Sequence, residues 1–261
     1  KFRNYSVSIE SMGKEIQELI PNVYRDQSVA IDAKRLSQST NTKLPVVRNS
    51  SVNNSFPKGL SNRNIALWHS HGWYYENTLD RWEWQRARVF LTVEDIWTMS
   101  FVVPYITPML ENAGAQVFLP RERDIQTHEF IIDADGSTKG AVYQELGETL
   151  QDGKEKGFGL KVPFLLEGEN PFQMGETRKM NAQKNVTSQV VYTPEILESG
   201  EYAVYVSYVG NDENITDAHY TVYHSGGKTE FLVNQTIGGE TWIYLGTFRF
   251  EKGTKGKVEL T

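Results

Sequence analysis

The chain has 261 residues, 39% hydrophobic and 23% charged, ordinary proportions for a globular protein that exclude wholesale disorder, collagen and a bundle of membrane spans. Its 33 acidic and 27 basic residues give a net charge of −6, so there is no basic field to release counterions from a nucleic acid. Cysteine is absent, which removes disulfides, thiol catalysis and cysteine-held zinc, and the length suits two domains.

In chain order, residues 1–57 mix an alternating run, Tyr5 to Ile9, with a short amphipathic segment, Lys14 to Ile20, and a polar loop, Asn49 to Ser55. The next stretch reads as a βαβ unit. Asn64-Ile-Ala-Leu-Trp68 is a buried-strand pattern, and Ala115-Gln-Val-Phe-Leu119 is a second one. Between them a helix is expected over about Thr92 to Asn112. Thr92 is its expected N-cap and Gly114 its C′ glycine, with Pro104 and Pro108 kinking or dividing it. Strand, helix and parallel strand place ligands outside the carboxyl ends of the strands, where His71 and Arg121 fall.

From about Phe130 onward the texture changes to short alternating segments: Tyr202 to Tyr208, His219 to Tyr223, Thr229 to Val233 and Trp242 to Phe248. Glycine-bearing turn pairs at Gly210-Asn211, Gly226-Gly227 and Gly238-Gly239 space them, the rhythm of an antiparallel sandwich or jelly roll. By alternation about half of the aromatics Tyr205, Tyr208, Tyr220, Tyr223, Trp242 and Tyr244 are core, Trp242 among them. The others are candidates to stack on sugar rings.

His69-Ser70-His71 at a strand end allows two readings. The imidazoles form a metal pair, or one packs against Trp68 or Trp73 while the other bonds a carboxylate. The segment Trp73 to Phe90, rich in Trp and Arg, is either a substrate-facing lid or groove wall or an amphipathic helix that packs its aromatics inward.

The order Ser70-His71-Gly72, Glu94-Asp95, then Arg121-Glu-Arg-Asp124 resembles the zinc-dependent N-acetylmuramoyl-L-alanine amidases. That resemblance implies His71 and Glu94 as zinc ligands and Arg121 and Asp124 as structural residues, while His69 is a candidate ligand from the His-x-His spacing alone. The candidate substrate-binding residues are Trp73, Tyr74 and Arg81, in a Trp73 to Phe90 insertion that departs from the family, together with Arg121, and the expected partner is peptidoglycan or a polysaccharide. Departures are Trp68-His69-Ser70 in place of the family's D-P-G, and the lack of a matching third ligand and general base. His128, His219 and His224 do not fit the family's later histidine motif. The expectation is an amidase-like domain that resumes beyond Thr261, or an inactive descendant.

Ser199 to Tyr208, Asp217 to Gly227, Phe231 to Gln235 and Gly238 to Phe250 resemble, in order, the golvesin-type module that also follows xanthan lyases. Large secreted proteins of Bacteroides-type bacteria carry the two modules together, often labelled xanthan lyases. The resemblances together imply an α/β amidase-like part over 1–128 and an all-β jelly-roll sandwich over 129–261, carbohydrate-binding-like and secreted, periplasmic or at the cell surface. The functional expectation is a zinc hydrolase of the amidase type directed at the cell envelope or a polysaccharide. The alternatives are a non-catalytic glycan-binding or adhesion protein, and a polysaccharide lyase using Tyr74, Tyr75, His71 and Arg81. The longest apolar stretch, Phe101 to Leu110, is too short and proline-broken to span a membrane. The missing initiator Met and the strand-like end lead to the expectation of a fragment of a longer protein.

Overall fold

The computed structural model describes residues 4, 6–20, 44–52, 59–121, 123–161 and 165–261. Tyr5 of the first alternating run and Asn53 to Ser55 of the expected loop lie outside them. The chain divides into two units, residues 1–43 and 44–261.

In the first unit, β1 (Glu10–Ser11) pairs antiparallel with β2 (Lys14–Glu15), and a 3-10 turn, Ile16–Leu19, follows. Its described residues are all exposed, so the segment Lys14 to Ile20 buries no apolar face.

The second unit is built in two parts. The first runs through β3 (Val47–Asn49), β4 (Asn64–Ala66), β5 (Trp73–Glu76), β6 (Arg81–Trp84), β7 (Arg88–Val89), β8 (Thr92–Val93), α1 (Glu94–Phe101), α2 (Thr107–Asn112) and β9 (Gln116–Phe118). The second contains β10 (Val142–Gly147), β11 (Gln151–Asp152), β12 (Arg178–Lys179), β13 (Ser188–Thr193), β14 (Gly200–Val206), β15 (Ala218–His224), β16 (Gly227–Val233), β17 (Ile243–Phe250) and β18 (Lys257–Leu260).

β4 and β9 pair in parallel, Asn64 with Gln116 and Ala66 with Phe118, with the helical segment as their crossover, as the sequence pattern predicts. Pro104 has no N–H to give to an α-helical ladder. The helix accordingly divides into α1, a π-helical turn over Val102–Ile106, and α2. Gly114 sits past the end with φ +100, its N–H donating to Glu111 O at 2.8 Å. Thr92 does not cap the helix. Val93 occupies the cap position, with no side-chain cap bond, because Thr92 is committed to β8.

The second part is all-β. Six antiparallel strands lie in the order β10-β13-β18-β15-β16-β3, and β14 pairs with β17 in a separate two-stranded sheet. A bulge between Val204 and Tyr205 shifts the latter pairing. The alternating positions of both sheets share one core: Tyr202, Val206, Tyr220, Val222, Phe231, Val233, Ile243, Leu245 and Phe250. Burying each such aliphatic or Phe side chain contributes roughly 1.5–3 kcal/mol, far more than an exposed ion pair, so this core carries the stability. The edge strand β3 comes from the N-terminal side of the expected 128/129 division. It pairs with β16, Val47 opposite Val233.

Several contacts pin the βαβ segment to this sandwich. Gln116 Nε2 donates to Tyr244 O at 3.1 Å. The Arg123 guanidinium lies 3.4 Å from the Tyr244 ring centroid and reaches Glu111 Oε1 at 2.7 Å. Asp124 Oδ2 accepts the Ala203 N–H at 2.7 Å. Among the described residues, no helix is long and apolar enough to cross a membrane.

Candidate functional site

The loop after β4 carries His69, Ser70, His71 and Gly72, and it turns sharply. Ser70 has φ +89 and Gly72 has φ +76, both left-handed. A left-handed serine costs about 1 kcal/mol or more and persists only where neighbours over-determine it. The neighbour here is Asp95, in the first turn of α1 and 0% exposed. Its Oδ1 accepts Ser70 Oγ at 2.8 Å, His71 N at 3.0 Å and Gly72 N at 2.9 Å. Its Oδ2 accepts Arg86 N at 3.1 Å. Burial works to raise the Asp95 pKa. The hydrogen bonds from Gly72, Ser70, Arg86 and His71 outweigh it and hold the carboxyl below its ordinary range.

Gly72 and Arg86 flank a β-hairpin, β5 to β6, and Gln85 N donates to Gly72 O at 3.1 Å to close its stem. One carboxylate therefore ties both ends of the hairpin to the helix. Trp73 pairs with Trp84 and Tyr75 with Trp82, and their rings meet edge to face at 4.7 and 5.7 Å between centroids. Trp73 is 45% exposed and Trp82 57%. The opposite face is polar: Tyr74 opposes Glu83, and Glu76 opposes Arg81. This overturns the helical reading of Trp73 to Phe90. Trp82 and Trp84 stand two apart because they share a strand face.

The expected substrate-binding residues scatter over this element. Trp73 is on the aromatic face. Tyr74 is on the polar face, its hydroxyl donating to Glu76 Oε2 at 2.9 Å. Arg81 forms an ion pair with Glu83. Arg121 packs beneath the loop: a Cβ on Gly72 would meet its Nε at 2.8 Å, and its Nη1 donates to Trp73 O at 3.4 Å. The hydrogen bonds to Glu76 and Asp80 raise the pKa values of Tyr74 and Tyr75.

The expected zinc ligands do not assemble. His69 is 2% exposed with no hydrogen-bond partner at either ring nitrogen. Burial, then the charge of Arg121, lowers its pKa. His71 Nε2 lies 2.7 Å from Arg86 Nη2. Guanidinium can only donate, so that contact uses the lone pair a metal would need and sets a positive charge beside it. Glu94 points into solvent, and the buried acid is its neighbour Asp95, whose oxygens are taken by the four donors above. Among the described residues no group of three His, Asp or Glu side chains is placed to hold a metal ion. The other histidines are engaged in the β-rich part. His128 pairs with Glu198 at 3.5 Å, His219 meets Thr261 Oγ1 at 3.1 Å, and His224 stacks on Phe248. The described residues do not fit a zinc centre.

The β-rich part offers less open aromatic surface than its sequence implies. Tyr220 is in the core, Tyr208 donates to Ile237 O at 2.7 Å, Tyr244 lies under Arg123, and Tyr223 lies under Lys257. Trp242, expected in the core, is instead part-exposed in a cluster with Phe158 and Phe172, since the strand begins only at Ile243. A cleft of about 300 Å³ is lined by Asp135, Tyr143, Glu145, Asp152, Glu176 and Arg178. Arg178 closes its charges by bonding both Glu145 oxygens, at 2.6 and 2.9 Å, and pairing with Asp152.

Residues 166–261 match the family model of the Golvesin C-terminal domain. The chain is 32% identical over 80 residues to the xanthan lyase of Bacillus sp. (strain GL1), a match covering 31% of this chain and 8% of that protein. The solved Paenibacillus xanthan lyase is similar at 23% identity over 50% of this chain and 11% of its own, with a TM-score of 0.40, too low to establish a shared fold. The chain thus spans about a tenth of the length of these relatives. None of these matches is to an amidase. Within the β-rich part, the likeness to the Golvesin C-terminal domain thus covers residues 166–261.

Proposed function

We propose that this chain binds a polysaccharide without cleaving it, as a module of a secreted or cell-surface protein. The observation that carries the reading is the match of residues 166–261 to the Golvesin C-terminal domain, a type shared with a xanthan lyase. The site geometry favours binding over hydrolysis. His71 faces a guanidinium, and Asp95 is consumed in holding a loop. Exposed aromatic rings are the remaining chemical resource, and these suit sugar faces. Affinity electrophoresis through gels containing xanthan or hydroxyethylcellulose tests the reading. Retardation of the full chain that persists in His71→Ala and Glu94→Ala supports it. Metal-dependent release of peptide from peptidoglycan, abolished by His71→Ala, contradicts it.

A further inference from the structure

We infer that the aromatic face of the β5–β6 hairpin, Trp73, Tyr75, Trp82 and Trp84, is a stacking platform for the uncharged faces of a polysaccharide strand. The inference rests on the glycan-binding reading and assigns it a surface outside the golvesin-type domain.

Three observations carry it. First, the register puts these four rings on one face, and the cross-strand ring contacts confirm it. Trp73 and Trp82, diagonal across the ladder, remain about half open to solvent. Diagonal positions sit about 7–8 Å apart, within the reach of one extended strand.

Second, charge is partitioned between the two faces. Glu76, Arg81 and Glu83 all lie on the opposite face, where Arg81 and Glu83 neutralise each other. The four ladder positions of the aromatic face carry no ionised and no aliphatic side chain, and at the tip Asp80 accepts the Tyr75 hydroxyl. An all-aromatic face suits the polarised C–H groups of a pyranose ring, which meet the negative faces of indole and phenol. The indole N–H groups suit the sugar hydroxyls.

Third, the platform is fixed before binding. Gly72 and Arg86, at the two ends of the hairpin stem, donate to the Asp95 carboxylate, and Gln85 bonds Gly72. At the tip, Thr78 N donates to Glu76 Oε1 at 3.0 Å and Leu79 N to Glu76 O at 3.1 Å. A preordered hairpin loses little conformational entropy when a ligand arrives.

The test is affinity electrophoresis of the full chain in hydroxyethylcellulose, a neutral probe, with three variants of matched thermal stability. Trp82→Ala is expected to weaken binding at least about tenfold. Trp82→Tyr, which keeps a flat ring, is expected to stay within about threefold of the parent. Trp242→Ala, in the β-rich part, is expected to leave binding unchanged. Binding lost in Trp242→Ala and kept in Trp82→Ala overturns the platform but leaves the glycan-binding reading standing. A parent chain that neither hydroxyethylcellulose nor xanthan retards overturns both.

Discussion

Asp95 Oδ1 accepts the Gly72 N–H at 2.9 Å, and this bond joins the first turn of α1 to the root of the aromatic hairpin. The same carboxylate takes the Arg86 N–H on the far side of the stem at 3.1 Å. Asp95→Asn keeps the shape but turns an NH2 toward one of the backbone donors. The expected cost is about 2–3 kcal/mol, read by urea unfolding. Amide exchange at Gln85 and Arg86 should accelerate with it. The Asp95 pKa is depressed in the folded state, so its stabilisation is whole above its ordinary value of 3.8. It declines as pH falls below that value and is gone once the folded-state carboxyl is protonated.

His69 adds a second pH dependence. Its pKa is lowered below 6.5 by burial and by Arg121, so the unfolded chain takes up its proton first. Its contribution is full above pH 6.5 and is lost as pH falls toward the folded value. His69→Leu removes a buried ring with two unpartnered nitrogens. The variant is expected within about 1 kcal/mol of the parent near pH 8 and more stable than it near pH 5, by thermal melts across that range.

Asp133 behaves in the opposite sense. Burial raises its pKa to about 6, with Asp135 nearby adding to the shift. Its neutral form suits the fold, so stability is lost as pH rises through that value. Asp133→Asn retains an acceptor for the Ala134 N–H. It is expected to be more stable than the parent above pH 6 and to differ little from it near pH 4, by denaturant titration.

The turn between β7 and β8 holds Phe90 and Leu91 at φ +51 and +65, with both side chains in solvent. Bulky residues are disfavoured there, and Asn-Gly is the preferred pair. Phe90→Asn with Leu91→Gly is expected to stabilise by about 1 kcal/mol in thermal unfolding, without touching the aromatic face.

The β-rich part was legible because alternation is a local signal. Tyr220, Val222, Phe231 and Val233 repeat every second residue and all face the core. The βαβ unit was legible too, down to the break at Pro104. The pairing of Val47–Asn49 with β16 was not, because nothing local links segments so far apart in the chain. The hairpin was misread because Arg and Trp are compatible with helices. Its strand signal was the pair Trp82 and Trp84 after the polar turn Asn77 to Asp80. Glu94 and Asp95 are adjacent acids separated by about 100° on a helix, and sequence spacing does not say which faces inward. The packing of α1 against the His69–Gly72 loop decides for Asp95.

The most direct measurement is an NMR titration of the six tryptophan indole N–H signals with a soluble neutral glucan. The account predicts that the Trp73 and Trp82 signals shift and saturate together while that of Trp242 stays fixed. Shifts confined to Trp242, with the hairpin signals unmoved, would contradict it.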